Sequence, residues 1–230
     1  MREAERLRAA YARRREQGLD GRYSSADPAN LYLYQQRERA LLETLASHDL
    51  LPLAGRRVLD VGCGDGSLLR DLERYGARPQ DLAGVDLLSW RLPAGGSPEA
   101  PTLAAADARR LPFDDGTFDL ALAFTLISSV VEDESRAQAA SEMMRVLRPG
   151  GVAIVYDFWI NPTNRDVRPL RLGELRRLFP GCAVRWRRLT LAPPLLRLLA
   201  PRSRLACRLL EKVPFLQTHY LAAATKGVRP

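Results

Sequence analysis

The spacing of apolar and polar positions changes character along the chain. Residues 2–17 are polar and charged throughout and predict a short solvated helix, broken by Gly18, Gly21 and Pro28. Residues 29–48 carry apolar side chains at 31, 34, 41, 42 and 45, broadly one face of a second helix. Asp27 and Pro28 are its expected N-cap and first-turn pair. From residue 57 the pattern shifts to short apolar runs separated by helical stretches. Arg57 to Val61, Leu82 to Asp86, residues 102–106, Phe118 to Phe124 and Val152 to Tyr156 predict strands. Phe118 to Phe124 is apolar apart from Asp119, as in a strand buried on both faces. Residues 66–75 and 133–147 predict the helices between, the second closed by Arg148-Pro149-Gly150-Gly151. Strands alternating with helices predict an α/β fold with a mostly parallel sheet. Past residue 160 the pattern loosens. It predicts a helix over 170–179, a strand over 183–191, a Leu/Arg-rich segment over 194–212 broken at Pro201, and a closing strand over 217–225.

A chain of 230 residues is long enough for one sizeable core without disulfide staples. We expect a helical N-terminal cap or lid over 1–50 and a core over 51–230, with acceptor-side elements in 158–215. Three Cys and two His, with no CxxC pair, give no metal site or disulfide framework. The N-terminus has charge but no apolar signal-type region, and no 18-residue apolar run occurs. A cytoplasmic address is the expectation.

Net charge +8 invites a nucleic-acid reading until it is located. Residues 17–164 hold 14 basic and 21 acidic side chains, whereas 165–208 hold 12 Arg and 2 acids. The body is acidic and the excess sits late. Nucleic acid is therefore not the expected partner.

The informative stretch is Val58-Leu59-Asp60-Val61-Gly62-Cys63-Gly64-Asp65-Gly66. Its glycines permit a tight strand-to-helix turn and close approach of backbone to ligand. Their spacing is G-x-G-x-G, not the dinucleotide G-x-G-x-x-G. Asp60 puts a carboxylate at the floor of the loop, which suits an ammonium and repels a pyrophosphate. Asp86 ends the second strand, where an acid accepts bonds from both ribose hydroxyls. Asp107 follows the third strand, within reach of an exocyclic adenine amine. Ammonium, ribose and adenine together describe S-adenosylmethionine.

The motifs VLDVGCGDGSLL, GVDLL, DARRLPFDDGTFDLALAF and MMRVLRPGGVAIVYDF resemble, in order, those of class I S-adenosylmethionine-dependent methyltransferases. They are similar to the ubiquinone/menaquinone-type small-molecule branch, over about residues 55–160. The resemblance implies a Rossmann-like, seven-stranded sheet with helices on both faces. It implies S-adenosylmethionine as cofactor and S-adenosylhomocysteine as product. Carried over, the cofactor residues are Asp60, Gly62, Gly64, Asp86 and Asp107, with Leu87 and Ala108 beside the adenine. Phe124 sits where the fourth strand opens toward the donor methyl. The flanks are similar to bacterial methyltransferases of glycan and natural-product biosynthesis.

For the acceptor side, Asp157 and Tyr23 are the candidate catalytic groups. Asp157 ends the fifth strand, and ligands of open α/β sheets lie at strand carboxyl ends. Tyr34, Asn161, Asn164, Arg165 and Arg168 are candidate acceptor contacts. The expected partner is a small-molecule or glycan-type acceptor, anionic if the Arg-rich segment serves it, with O-methylation the favoured reaction. A basic amphipathic face over 194–212 suggests peripheral membrane contact, with Leu195, Leu198, Leu199, Leu205 and Leu209 opposite Arg197, Arg204 and Arg208. Two alternatives stay open: a non-catalytic S-adenosylmethionine-binding partner protein, and an RNA methyltransferase.

Overall fold

The computed structural model describes residues 2–16, 18, 24, 26–94, 99–161, 164 and 166–227. Two helices come first, α1 (Arg2–Glu16) and α2 (Pro28–Ala46). The Asp27 carboxylate accepts from the amides of Ala29 and Asn30, so the expected cap starts α2. Then follow β1 (Val58–Val61), α3 (Ser67–Glu73), β2 (Leu82–Asp86), β3 (Thr102–Ala105), β4 (Phe118–Phe124), α4 (Asp133–Val146) and β5 (Leu147–Phe158). The chain ends with α5 (Leu172–Leu178), β6 (Ala183–Leu191), α6 (Pro193–Leu199), α7 (Arg204–Leu210) and β7 (Gln217–Thr225).

The sheet has seven strands in the order β3-β2-β1-β4-β5-β7-β6. The first five run parallel, and β7 is antiparallel to both β5 and β6. The expected fold class is the observed one.

Strand parity decides what each face carries. Leu59, Val61, Val85, Ala121, Ala153 and Val155 pack with α4 and α5. Val58, Leu82, Leu120, Leu122, Ile154 and Tyr156 pack with Leu41 and Leu45 of α2 and Leu69 and Leu72 of α3. With a period of two, Asp60 joins the α2 face and Asp157 joins the α4/α5 face. That division governs the site below. The N-terminal half of α2 also meets α6 and α7, through Ala29, Tyr32, Leu196, Ala200 and Cys207. Among the described residues, no helix is long and apolar enough to cross a membrane.

One buried cation fastens the α4/α5 face. Arg136 is fully buried. Its Nε donates to the Val130 carbonyl at 2.6 Å, its Nη1 to Glu174 at 2.8 Å, and its Nη2 to the Arg168 carbonyl. Arg136→Met leaves two carbonyls and part of Glu174 without a donor. We expect a loss of about 3 kcal/mol in urea unfolding, the typical cost of breaking a buried charge network. A loss below about 1 kcal/mol shows that the network is dispensable.

Candidate functional site

Every parallel strand ends at the same edge of the sheet, and the acids gather there. β1 runs into Gly62, and the amides of Gly62 and Cys63 both donate to the Val85 carbonyl, at 2.7 and 3.0 Å. Gly62 and Gly64 both adopt positive φ, +84° and +55°. A Cβ on Gly64 would meet only the movable tip of Arg91, so the positive φ is what calls for glycine here.

Asp86 is buried at the end of β2. Its Oδ2 accepts from the Gly64 amide at 2.9 Å and from Arg91 Nη1 at 3.0 Å, while its Oδ1 accepts from the Leu88 amide at 2.9 Å. Asp107 follows β3 in the same manner. Arg109 donates to it through Nε at 3.0 Å and Nη2 at 2.6 Å, which holds its carboxyl below the usual range. Gly62, Asp86, Leu87, Asp107, Ala108 and Phe124 all line one cavity.

The roof of that cavity is α1. Glu3, Leu7 and Tyr11 line it from above. Glu3 accepts from the Val131 amide at 3.0 Å and from Arg6 at 2.6 Å, and Arg13 pairs with Asp166 at 2.9 Å. Arg91 lies 5.0 Å from the Tyr11 ring centroid, and Arg15 lies 5.6 Å from that of Trp90. These contacts fasten α1 across the cavity.

Asp60 flanks the cavity on the α2 face. It is buried, and no hydrogen bond to its carboxylate occurs among the described residues. Burial pushes its pKa up to about 7 against its ordinary 3.8, despite the opposing charge of Arg37. Arg37, on α2, was not singled out from the sequence. Its guanidinium carbon lies 5.1, 5.4 and 5.9 Å from the ring centroids of Tyr34, Phe124 and Tyr156. Arg37 and Asp60 influence one another yet form no salt bridge. Beyond them His219 packs flat on Tyr156, at 4.6 Å between centroids, and burial drives its pKa down to about 3.

The acceptor-side candidates separate. Tyr34 shares the α2 face with Arg37. Asp157 is buried on the other face, where its carboxylate accepts from the Ser128 and Phe158 amides at 2.8 Å each. It ties β5 to the turn after β4 and does not line the cavity. Arg168 is spent in the same region, bonding the Val131 carbonyl, Asp133 and Glu174. Asn164 caps a local turn by accepting from the Asp166 amide at 2.9 Å. Asn161 is half-buried in the loop after β5. Tyr23 and Arg165 lie outside the described residues. The Cys63 thiol, pushed up to about 12 by burial and by Asp60, is no nucleophile. Among the described residues, no group of three metal-ligating side chains occurs.

This donor set fits S-adenosylmethionine: a carboxylate for a ribose diol, a second acid for an exocyclic amine, apolar walls between, and a free acid for an ammonium. Residues 59–155 match the family described as a methyltransferase domain. Over that stretch the chain is similar to methyltransferase domains. Over 106 residues the chain is 36% identical to the sterol 4-C-methyltransferase strm-1 of Caenorhabditis elegans, 43% of this chain and 30% of that one. Over 111 residues it is 37% identical to the ubiquinone/menaquinone biosynthesis C-methyltransferase UbiE of Geobacter sulfurreducens, covering 45% and 42%. The chain therefore spans less than half the length of these relatives. An uncharacterized methyltransferase of Mycobacterium sp. (strain JLS) is 32% identical over 160 residues, 67% of this chain and 61% of that one.

Solved structures of the same fold include an S-adenosylmethionine-dependent methyltransferase from Mesorhizobium loti, at TM-score 0.56 and 21% identity, covering 80% of this chain and 96% of that one. The [4+2]-cyclase SpnF is also similar, at TM-score 0.53 and 21% identity, covering 83% and 81%. Fold and reaction are separate questions in this superfold.

Two predictions follow from the geometry of the site. The folded-state pKa of Asp60, about 7, lies above the 3.8 of an exposed carboxyl. Its proton is bound more tightly in the folded chain, so the associated stability is complete below about pH 4 and is lost as pH rises through 7. Asp60→Asn removes that loss. In ligand-free thermal or urea unfolding, its stability relative to wild type should climb between pH 4 and 8 by on the order of 4 kcal/mol. A flat difference assigns Asp60 an ordinary pKa. Arg91→Ala frees Asp86 from its ion pair before ligand arrives. S-adenosylhomocysteine should then bind roughly threefold to tenfold more tightly by calorimetry, the worth of a partly buried pair. Weaker binding instead makes Arg91 a ligand contact.

Proposed function

We propose that this chain transfers the methyl group of S-adenosylmethionine to a small-molecule acceptor. The observation that carries this is the convergence of Asp60, Asp86 and Asp107 with Arg37 at one sheet edge, under a lid formed by α1. When bound, the cofactor supplies a methyl already activated by its sulfonium. What the chain's residues add is placement, since an in-line displacement depends chiefly on holding donor and acceptor in reacting geometry.

Each residue has a definable task in this reading. Asp86 holds the ribose hydroxyls once Arg91 gives way. Asp107 takes the adenine amine once Arg109 gives way, and Leu87 and Ala108 bracket the base. Asp60 holds the ammonium of the methionine end, and Arg37 holds its carboxylate. A free acid and a free guanidinium that sense each other without pairing leave a gap suited to an α-amino acid zwitterion. The roof residues Glu3, Leu7 and Tyr11 keep water off the nucleoside half.

The acceptor meets the donor beyond Phe124 and Thr125, against a wall of Tyr34, Phe124 and Tyr156. Such a wall suits a planar, unsaturated acceptor. His219 is buried as the neutral ring, and Asp157 is engaged by backbone amides. No His lines the described part of the cavity. An acceptor that ionises readily, such as a phenolic or enolic hydroxyl, asks least of these residues, so O-methylation remains the favoured outcome. Asn161 and Asn164 follow β5, whose carboxyl end lies at this edge of the sheet.

Release of S-adenosylhomocysteine from radiolabelled S-adenosylmethionine and a panel of phenols and quinols tests the reaction. Turnover with carbon-bound label assigns C-methylation instead. Tight binding with no turnover across the panel favours a non-catalytic partner protein. The donor clamp has its own test. Arg37→Gln should weaken S-adenosylhomocysteine binding more than tenfold while leaving its decarboxylated analogue unchanged, since a lost charge-assisted bond costs about 1.5–3 kcal/mol. Equal weakening of both ligands removes Arg37 from the carboxylate.

A further inference from the structure

Four of the large apolar side chains that the described residues leave most exposed fall within one short stretch. Leu198 is 56% exposed, Leu205 67%, Leu209 58% and Phe215 76%. Leu205 and Leu209 stand four apart on α7 and therefore share a face. The arrangement expected over 194–212, with leucines opposite arginines, is not what forms. The break at Pro201 gives two short helices, and Leu195 and Leu199 turn inward against Leu196, Ala200 and Cys207. The remaining leucines stay outside, next to the arginines and not opposite them.

The charges around them are of one sign. Arg197, Arg202, Arg204, Arg208 and Lys212 are all exposed, and none forms a salt bridge among the described residues. The single acid between residues 175 and 230 is Glu211. It is turned inward, accepting from the Tyr32 hydroxyl at 2.6 Å and from Gln36 at 3.0 Å. The segment thus presents leucines, a phenylalanine and cations to solvent while its one carboxylate is withdrawn to α2. A purely solvated basic face has no need of the apolar side chains. An exposed apolar patch rimmed by cations complements an anionic lipid surface, with phosphate groups for the arginines and acyl chains for Leu205, Leu209 and Phe215.

We propose that residues 198–215 seat this chain on the surface of an anionic bilayer. The contact is peripheral, and it stands independently of the reaction proposed above. Its position relative to the site gives it a use. α6 and α7 pack on the N-terminal half of α2, and the same helix carries Tyr34 and Arg37 to the donor edge. A bilayer bound there lies one helix from the opening through which an acceptor enters, so that an acceptor dissolved in or tethered to lipid reaches it without crossing bulk water.

Vesicle co-sedimentation of the full chain tests this. Phosphatidylcholine vesicles containing phosphatidylglycerol should bind the chain, and pure phosphatidylcholine vesicles should bind it at least tenfold less. Leu205→Glu, Leu209→Glu and Phe215→Glu combined should abolish sedimentation, as should Arg204→Ser with Arg208→Ser. Each Arg near an anionic surface contributes about a fivefold partition, so the pair should cost roughly twenty-five-fold, enough to take sedimentation to background. Because these side chains are exposed, S-adenosylhomocysteine binding should be unchanged in every variant, which separates loss of docking from loss of fold. No binding to either vesicle, or equal binding to both, overturns the proposal. So does a chain that is dimeric in light scattering and becomes monomeric on the triple Glu substitution, since the face is then an interface between two copies.

Discussion

A row of carboxylates at the ends of parallel strands must be neutralised whether or not a ligand is present. The sheet brings Asp60, Asp86, Asp107 and Asp157 to one edge and takes all but Asp107 almost wholly out of water. A buried, unpaired carboxylate is too costly to persist, so each finds an answer of its own. Asp157 takes two backbone amides. Asp86 takes two amides and Arg91. Asp107 takes Arg109. Asp60 has none of these and holds its proton up to about pH 7. The four solutions rank the acids by availability. Asp157 is committed to the fold, Asp86 and Asp107 are held by movable side chains, and Asp60 waits for a cation.

The same requirement explains why the lid and the site cannot be described apart. Arg91 neutralises Asp86 and also lies against Tyr11 of α1. Withdrawing Arg91 to admit a ribose loosens a contact that holds the roof. Glu3 and Arg6 hold the other end of α1 to the turn after β4. Under the proposed function, a nucleoside that displaces Arg91 competes with this contact at one end of α1 and leaves the other end anchored.

Much of this was legible in the sequence because it rests on local rules. The strand runs, the G-x-G-x-G turn and the acids at 60, 86 and 107 follow from period-two patterning and from glycine's access to positive φ, so the places of these residues at the strand ends could be laid out one by one. The acceptor half could not. Whether a strand-end acid faces the ligand depends on parity relative to the neighbouring layers. Asp157 has the right address, but the Ser128 and Phe158 amides claim its carboxylate and it does not line the cavity. Arg168 looked available in a polar loop, but Asp133 and Glu174, remote in sequence, claim it. Arg37 was missed because α2 reads as an ordinary surface helix. Its meaning comes from three rings on three separate elements. A signal existed nonetheless: an Arg four residues before Leu41, on the face of α2 that packs on the sheet.

The late basic segment sharpens the point about charge. Counted over the chain, +8 is a bulk property with little content. Located, much of it is already in use. Arg168 is neutralised by acids, Arg187 pairs with Glu43 at 2.6 Å and Arg188 lies 4.7 Å from the Trp159 ring centroid. The arginines of α6 and α7 have no such partners among the described residues, and the one acid nearby faces inward. Exposed leucines cost solubility, and the unbalanced charges beside them confer no stability on the fold. Their arrangement makes physical sense for a surface that spends part of its time against something both anionic and apolar, and a lipid bilayer meets both conditions at once.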